Sequence, residues 1–451
     1  MGKTFRPYQP DQLLVLPPSL QEWLPADHLA YFVSDVVDGL DLSAIYAGYE
    51  EERGYPPYHP LLMTKLWLYG YACGVRSSRK LMRATREDVA FRVLCAGNEP
   101  DFRTLSVFRR RHLEALSGLF AQILQLCREA GLVKLGHVAI DGTKVKANAS
   151  KHKAMSYERM VAEEARHEAE IAEWFAEVEG NDRAEDERYG PEKTGDELPE
   201  ELRHREGRLK KIAEAKAALE ERARRAARER GEDEEEAEVE PKTQRNFTDP
   251  ESRIMLSSEK AFIQAYNGQL AVDDAYQVIV AATVVQAAND KRQLVPMVEA
   301  SVDAFEEVPG AFSADAGYWS EENAATLAYW EIDAYVAPEK ISHREWREAK
   351  APKGRIPKGL TEKERMRRKL TTKTGRAEYD KRKITVEPVC GQLRTVQGLD
   401  QFLLRGLEKV TGEWLLYCTS HNLLKLFRNR ERPRGRTPGV GERPVARLAT
   451  A

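Results

Sequence analysis

The feature that most restricts the fold is a long interruption. An apolar segment, HVAID, ends at Asp141, and comparable strand texture returns only after Asn246. Between them the chain is dominated by charge, and its apolar residues have helical spacing. Met160, Ile171, Trp174 and Val178 share one helical face, and Leu202, Leu209, Ile212 and Leu219 share a second. The polar stretch NDRAEDERYGPEKTGDELP between them reads as a loop, and GEDEEEAEVEP after them as disorder. Residues 150–244 therefore read as a coiled-coil-like helical hairpin inserted after the first strand of a sheet.

Beyond the interruption, GQLAVDDAYQ and QVIVAATVVQA read as two strands joined by a short turn. DKRQLVPMVEASVDAF has the pattern of an amphipathic helix. AFSADAGY is a strand ending in an acid, EENAATLAYW a helix, and IDAYVAP a further strand. A basic connector, Glu339–Thr374, leads into YDKRKITVEPVCGQLRTVQG, which begins as a helix. Three strands followed by alternating helices and strands make a mixed α/β sheet, in the order of the RNase H-like fold.

That order gives three acids a common address. Asp141 closes the first strand and Asp315 the fourth, which are neighbours in such a sheet. Glu387, on the helix after the last strand, can pack against the same edge. Carboxylates gathered this way repel, and each tends to keep its proton. A divalent cation removes the conflict; Mg2+ prefers such hard oxygen donors, and Mn2+ is an alternative. Two ions roughly 3.5–4 Å apart suit in-line transesterification at a DNA phosphodiester. Taken singly, each acid has a plainer reading as a turn former, a helix cap or a surface group.

Before the sheet, residues from about Pro10 to Gly131 read as helical. PLLMTKLWLYGYACG starts at a proline and ends at a glycine. Ser77 and Ser78 can cap RKLMRATREDVAFRVL, and Thr104 can cap one long helix, LSVFRRRHLEALSGLFAQILQLCREAG. Two capped helices joined by a Gly/Asn/Pro turn resemble a helix-turn-helix, with Arg109, Arg110 and Arg111 early in the second helix. A plain helical bundle with a basic face is the other reading. The net charge of −3 hides a segregation of signs. Basic residues cluster at Arg76–Arg111 and Lys340–Arg394, acidic ones at Glu158–Glu240, and local patches set phosphate affinity. Five scattered cysteines form neither a disulfide framework nor a zinc ribbon. No apolar run approaches membrane-spanning length, and MGKTFRPYQP lacks a secretory core, so a cytoplasmic protein is expected.

With these flanks in view, the chain resembles the DDE transposases of bacterial insertion sequences. AIDGTKVKANAS looks like the family's first-aspartate motif, FSADAGYWSEEN like its second, and YDKRKITVEPVCGQLR like its third. The resemblance places the catalytic and metal-binding roles on Asp141, Asp315 and Glu387. The family's third motif runs tyrosine, two residues, arginine, three residues, glutamate, six residues, lysine. Tyr379 and Arg382 match, four residues rather than three precede Glu387, and Arg394 stands where lysine is usual. PDFRTLSVFRRRH resembles the end of a helical domain that binds terminal inverted repeats. RNFTDPESRIM, AYNGQLAVD and GEWLLYCTSHNLLKL also have the family's look.

The resemblance implies a transposase that binds its element's terminal inverted repeats and a target DNA, cleaves and joins strands with Mg2+, and works as a homodimer. The implied organisation is an all-α DNA-binding domain (1–131), an RNase H-like catalytic domain (132–428) with the helical insertion, and a disordered tail (429–451). Arg109, Arg110, Arg111, Tyr379, Arg382 and Arg394 would contact DNA. Two other classes compete: a DNA-binding descendant without catalysis, and a stand-alone metal-dependent nuclease. Other polar residues read as structural. Asp290 caps a helix, Asp273 belongs to the second strand, and His421 fills a satisfied core position. Asp249 and Arg253 pair or order a loop, while Tyr266 and Asn267 touch DNA or close a turn.

Overall fold

The computed structural model describes residues 19, 22–49, 56–150, 153–170, 200–257, 260–340, 350–352, 354–357 and 359–430. Of the expected tail, 429–451, Asn429 ends the last helix and Arg430 follows it, while the rest lies outside the described residues, as do Ile171, Trp174 and Val178 and the polar loop after them.

Among the described residues seven helices precede the sheet: α1 (Leu29–Asp38), α2 (Ser43–Tyr46), α3 (Pro60–Ala72), α4 (Ser78–Glu87), α5 (Val89–Leu94), α6 (Phe102–Arg111) and α7 (Leu113–Glu129). Two expected helices are each divided. RKLMRATREDVAFRVL breaks at Asp88, whose extended backbone lets its carboxylate accept from Ala90 N and Phe91 N and start α5. The long helix breaks at His112, whose ring stacks on Tyr49 at 5.2 Å and meets Phe108 at 4.9 Å. Asp101, not Thr104, caps α6; the Thr104 hydroxyl donates to the Asp101 carboxylate at 2.5 Å. Arg109, Arg110 and Arg111 consequently fall in the last turn of α6, not its early turns.

The chain then builds a mixed sheet. Its centre is β1 (Val138–Lys146), which continues past Asp141 for five residues where the sequence suggested an end. The two-stranded pair β2 (Ala154–Ser156) and β3 (Gln244–Asn246) brings both ends of the charged segment together. Within that segment a helix over 157–170 packs Met160 against Ile212, Ala215 and Leu219 of α8 (Glu200–Arg230), in a cluster separate from the main core. The acidic run that follows is irregular, with Glu234 paired to Arg228 at 2.5 Å.

A short strand, β4 (Arg253–Leu256), pairs with the start of β5 (Phe262–Asp273). The rest of β5 lies antiparallel to β1 on one side and to β6 (Ile279–Val285) on the other. Helix α9 (Leu294–Asp303) leads to β7 (Phe312–Ala314), and α10 (Glu321–Tyr329) to β8 (Ala334–Val336). β7 runs parallel to β1, and β8 parallel to β7. The central order is β6-β5-β1-β7-β8. Helices α11 (Glu362–Thr371), α12 (Lys373–Thr395) and α13 (Leu407–Asn429) complete the chain.

One apolar core joins the early helices, the sheet and α13. Helix α13 is buried around almost its whole circumference from Val410 to Leu426, the pattern of an interior helix. Its polar groups are paired. Asn422 accepts from Ile279 N and donates to Ile279 O, both at 2.9 Å, standing in for a strand neighbour of β6. Glu413 accepts the backbone N–H groups of Leu403 and Leu404. The Trp414 indole lies where a Cβ on Gly268 would sit, 2.9 Å from its nearest ring carbon, so only glycine fits at that point of β5. Gly268→Ala is expected to lower stability by about 1–3 kcal/mol through overpacking, read as a fall in Tm.

His421, buried in α13, bonds the Gln277 carbonyl through Nε2 at 3.0 Å, and burial pushes its pKa down to about 3. Because the folded value is below the ordinary one, the unfolded chain takes the proton first as pH falls. The neutral imidazole's contribution is complete above about pH 6.5 and is lost as pH drops toward 3. Denaturant titrations across this range should show a shallower acid decline for His421→Gln than for the parent.

Candidate active site

The acids come together because β1 and β7 are parallel neighbours. Ile140 is in register with Ala314, so Asp141 and Asp315 follow at the same level. Asp315 begins a short 3-10 turn, its Oδ1 accepting from Gly317 N at 2.8 Å. Asp141 Oδ1 accepts from its neighbour Gly142 N at 2.9 Å. Helix α12 lies against β1 and presents Glu387, whose side chain is half exposed.

A single guanidinium ties two of the three acids. Arg382 Nη1 is 3.2 Å from Asp141 Oδ2, and its Nη2 is 3.1 Å from Glu387 Oε1. Burial pushes the Asp141 pKa up to about 6; Arg382 opposes the shift, while Asp315 and Glu387 add to it. Asp141 is thus held ionised at neutral pH against both desolvation and like charge. Among the described residues, no three His, Cys, Asp or Glu side chains converge tightly enough to hold a metal ion as they stand.

Other α12 residues surround the acids. Arg394, two helical turns beyond Glu387, donates from Nη2 to Thr143 Oγ1 at 2.7 Å and to the Lys144 carbonyl at 3.3 Å. Tyr379 packs beside Ala311, Tyr335, Ala337 and Leu370, with the Arg382 guanidinium 5.9 Å from its ring. The arginines of α6 are elsewhere and differ from one another. Arg109 is only 6% exposed. It donates to Tyr71 Oη at 3.0 Å and the Arg76 carbonyl at 3.2 Å, and lies 4.3 Å over the Trp67 ring. Arg110 is exposed, and Arg111, also exposed, donates to the Gly48 carbonyl.

A buried polar cluster behind the acids escaped the sequence reading. Asp290 makes no side-chain cap bond to the turn it begins. Its carboxylate instead accepts from Asn267 Nδ2 at 2.6 Å and Gln269 Nε2 at 2.8 Å, and pairs with Lys144 at 3.1 Å. The Tyr318 hydroxyl donates to Gln269 Oε1, linking the turn after Asp315 to the same cluster. A signal was present: Asn267 and Gln269 are alternate polar residues within the buried strand β5, paired with Lys144 and Gly142. Arg253 does not pair with Asp249; it orders the loop by donating to the Pro250 and Ser252 carbonyls. Asp249 accepts from the buried Tyr266 hydroxyl at 2.8 Å.

Asp141 inside β1 and Asp315 just after β7 thus stand level on adjacent parallel strands, with a third acid, Glu387, on the helix packed against β1. Two family models match the chain: Transposase domain (DUF772) over residues 18–111, and Transposase DDE domain over residues 352–427. No curated protein and no solved structure matches it. The two matches support a DDE-type transposase of an insertion element, a class of DNA-cleaving enzyme that typically uses a divalent metal. The second match spans Tyr379, Arg382, Glu387 and Arg394; Asp141 and Asp315 lie outside both matches. No helix among the described residues is long and apolar enough to cross a membrane.

The strain of buried like charge has a measurable consequence. Without added divalent ions, Asp141→Asn is expected to be more stable than the parent at neutral pH by about 1–2 kcal/mol. Chemical denaturation measures the difference, and a less stable variant would contradict the reading of Asp141 as an electrostatically costly residue.

Proposed function

We propose that this chain is a cytoplasmic transposase that binds the terminal inverted repeats of its element, cleaves the DNA there and transfers the strand. Asp141, Asp315 and Glu387 are its catalytic acids. The observation that carries this reading is the Arg382 bridge: one cation already spans Asp141 and Glu387 at salt-bridge distance. Hard carboxylate oxygens are the donors that Mg2+ or Mn2+ prefers, so the residues fit a divalent ion. When bound, such ions would supply an activated water or 3′-hydroxyl and charge stabilisation at the leaving oxygen.

The protein's own residues do the rest. Arg382, held beside the acids, is placed to move from carboxylate to phosphate as DNA enters. Arg394, a planar fork rather than a point charge, fixes α12 to β1 and offers its remaining N–H groups to the backbone of a bound strand. Tyr379 braces Arg382. On the early helices, exposed Arg110 and Arg111 are the DNA-facing members of the triple arginine. Arg109 acts through packing, since its donors and its flat face are engaged inside.

The strand order β6-β5-β1-β7-β8, with the first three antiparallel and the last two parallel, supports an RNase H-like core. In this reading residues 132–428 form the catalytic domain, 150–244 a helical insertion, 1–131 the end-binding domain and 429–451 a tail. Two ends must be held together for transfer, so the working unit is a homodimer on paired ends.

The test is cleavage of DNA carrying the gene's own flanking repeats, with Mg2+ varied. Asp141→Asn, Asp315→Asn and Glu387→Gln should bind those ends as the parent does, yet cut on the order of a thousandfold or more slowly. A parent protein that binds but never cuts, or variants that cut normally, would overturn the assignment. Separately, Arg110→Ala should weaken end binding and reduce the slope of log affinity against log salt by about one.

A further inference from the structure

Pro388 stands inside α12, immediately after Glu387. A proline has no N–H to donate, and its ring displaces the carbonyl four residues earlier, here that of Ile384. The disturbed turn, 384–388, is the one that carries Glu387. Arg382 and Glu387 are five positions apart, so on a regular helix they would diverge by about 140° around the axis. Their side chains nevertheless meet at 3.1 Å.

The orphaned carbonyl is not left to solvent. Gln277 Nε2 donates to Ile384 O at 2.8 Å. Gln277 lies in the turn between β5 and β6 with a φ of 59°, a left-handed setting that is uncommon for a residue with a side chain. That turn is anchored from α13: Lys425 Nζ donates to Gln277 Oε1 at 2.8 Å, and His421 Nε2 bonds the Gln277 carbonyl at 3.0 Å. Gln392, one turn beyond Pro388, donates to the same Oε1 at 3.3 Å.

We propose that Gln277 is a positioning residue for Glu387: its side-chain amide replaces the helix donor that Pro388 withholds, and so sets the bend that aims the glutamate toward Asp141. Gln277 touches neither the acids nor the DNA in this account. The inference rests on the catalytic reading of Glu387 and adds a support to α12 delivered from the β5–β6 turn and the buried helix.

A double-mutant cycle tests it with Gln277→Glu and Pro388→Ala in the full chain. Glutamate keeps an acceptor for Lys425 but cannot donate to Ile384 O, whereas alanine at 388 restores the helix's own donor. Two readouts are needed: amide hydrogen exchange over residues 385–392, and the Mg2+ dependence of end cleavage. With Pro388 present, Gln277→Glu should speed exchange in that segment, slow cleavage about tenfold and raise the Mg2+ concentration for half-maximal rate. In the Pro388→Ala background the same substitution should change each by less than about twofold. Equal effects in both backgrounds, or none in either, would overturn the proposal. If the parent does not cleave at all, the catalytic reading fails, while the exchange cycle still reports whether Gln277 supports the bend.

Discussion

The burial of α13 is the constraint on which the rest of the molecule depends. A helix enclosed on all sides must find a partner for every polar atom it carries, because an unpaired buried group costs about 1–3 kcal/mol. Those partners are distributed over the whole fold. Ser420 reaches the Leu68 carbonyl of α3, Asn422 the backbone of β6, and His421 and Lys425 the β5–β6 turn. Gln397, just after α12, donates to the Tyr417 carbonyl of α13. The early helices, the sheet and the glutamate-bearing helix are thereby referenced to one buried rod. A large apolar core fills the spaces between.

Against that rigid frame the acids form a deliberately uncomfortable group. Asp141 is desolvated and lies within the field of two other carboxylates, and Arg382 offsets the conflict only in part. The same arrangement that lowers stability concentrates negative charge at the place the proposed function assigns to a divalent cation. Behind it, Asp290 with Lys144, Asn267 and Gln269 forms a second, charge-balanced layer over the β1–β5 pair, linked by Tyr318 to the turn after Asp315.

Much of this was readable from residues alone, for physical reasons. Strand and helix periodicities are local, so the alternation after Asn246 showed most of the sheet elements in order, though not β4, and the adjacency of the strands at Asp141 and Asp315 followed from that order. What escaped were features decided by contacts the pattern does not show. His112 breaks a continuous helical pattern where two aromatic rings meet it, Asp88 starts a helix of its own after the one that begins at Ser78, and Asp101 takes the capping role in place of Thr104. Arg109 reads as a surface cation in sequence, but a Trp67 face and a Tyr71 hydroxyl from another helix draw it inside. Asp290 looks like a cap until the polar residues of β5 are folded over it.

The central claim is that Asp141, Asp315 and Glu387 form one divalent-cation site that displaces the Arg382 bridge when DNA is bound. Anomalous diffraction from crystals of the protein with its end DNA and Mn2+ addresses it directly. The account predicts a scatterer at bonding distance, about 2.1 Å, from carboxylate oxygens of Asp141 and Asp315, with Arg382 turned from Asp141 to a DNA phosphate. A Mn2+-loaded, DNA-bound crystal with no scatterer at these acids, and with Arg382 still joining Asp141 to Glu387, would contradict it.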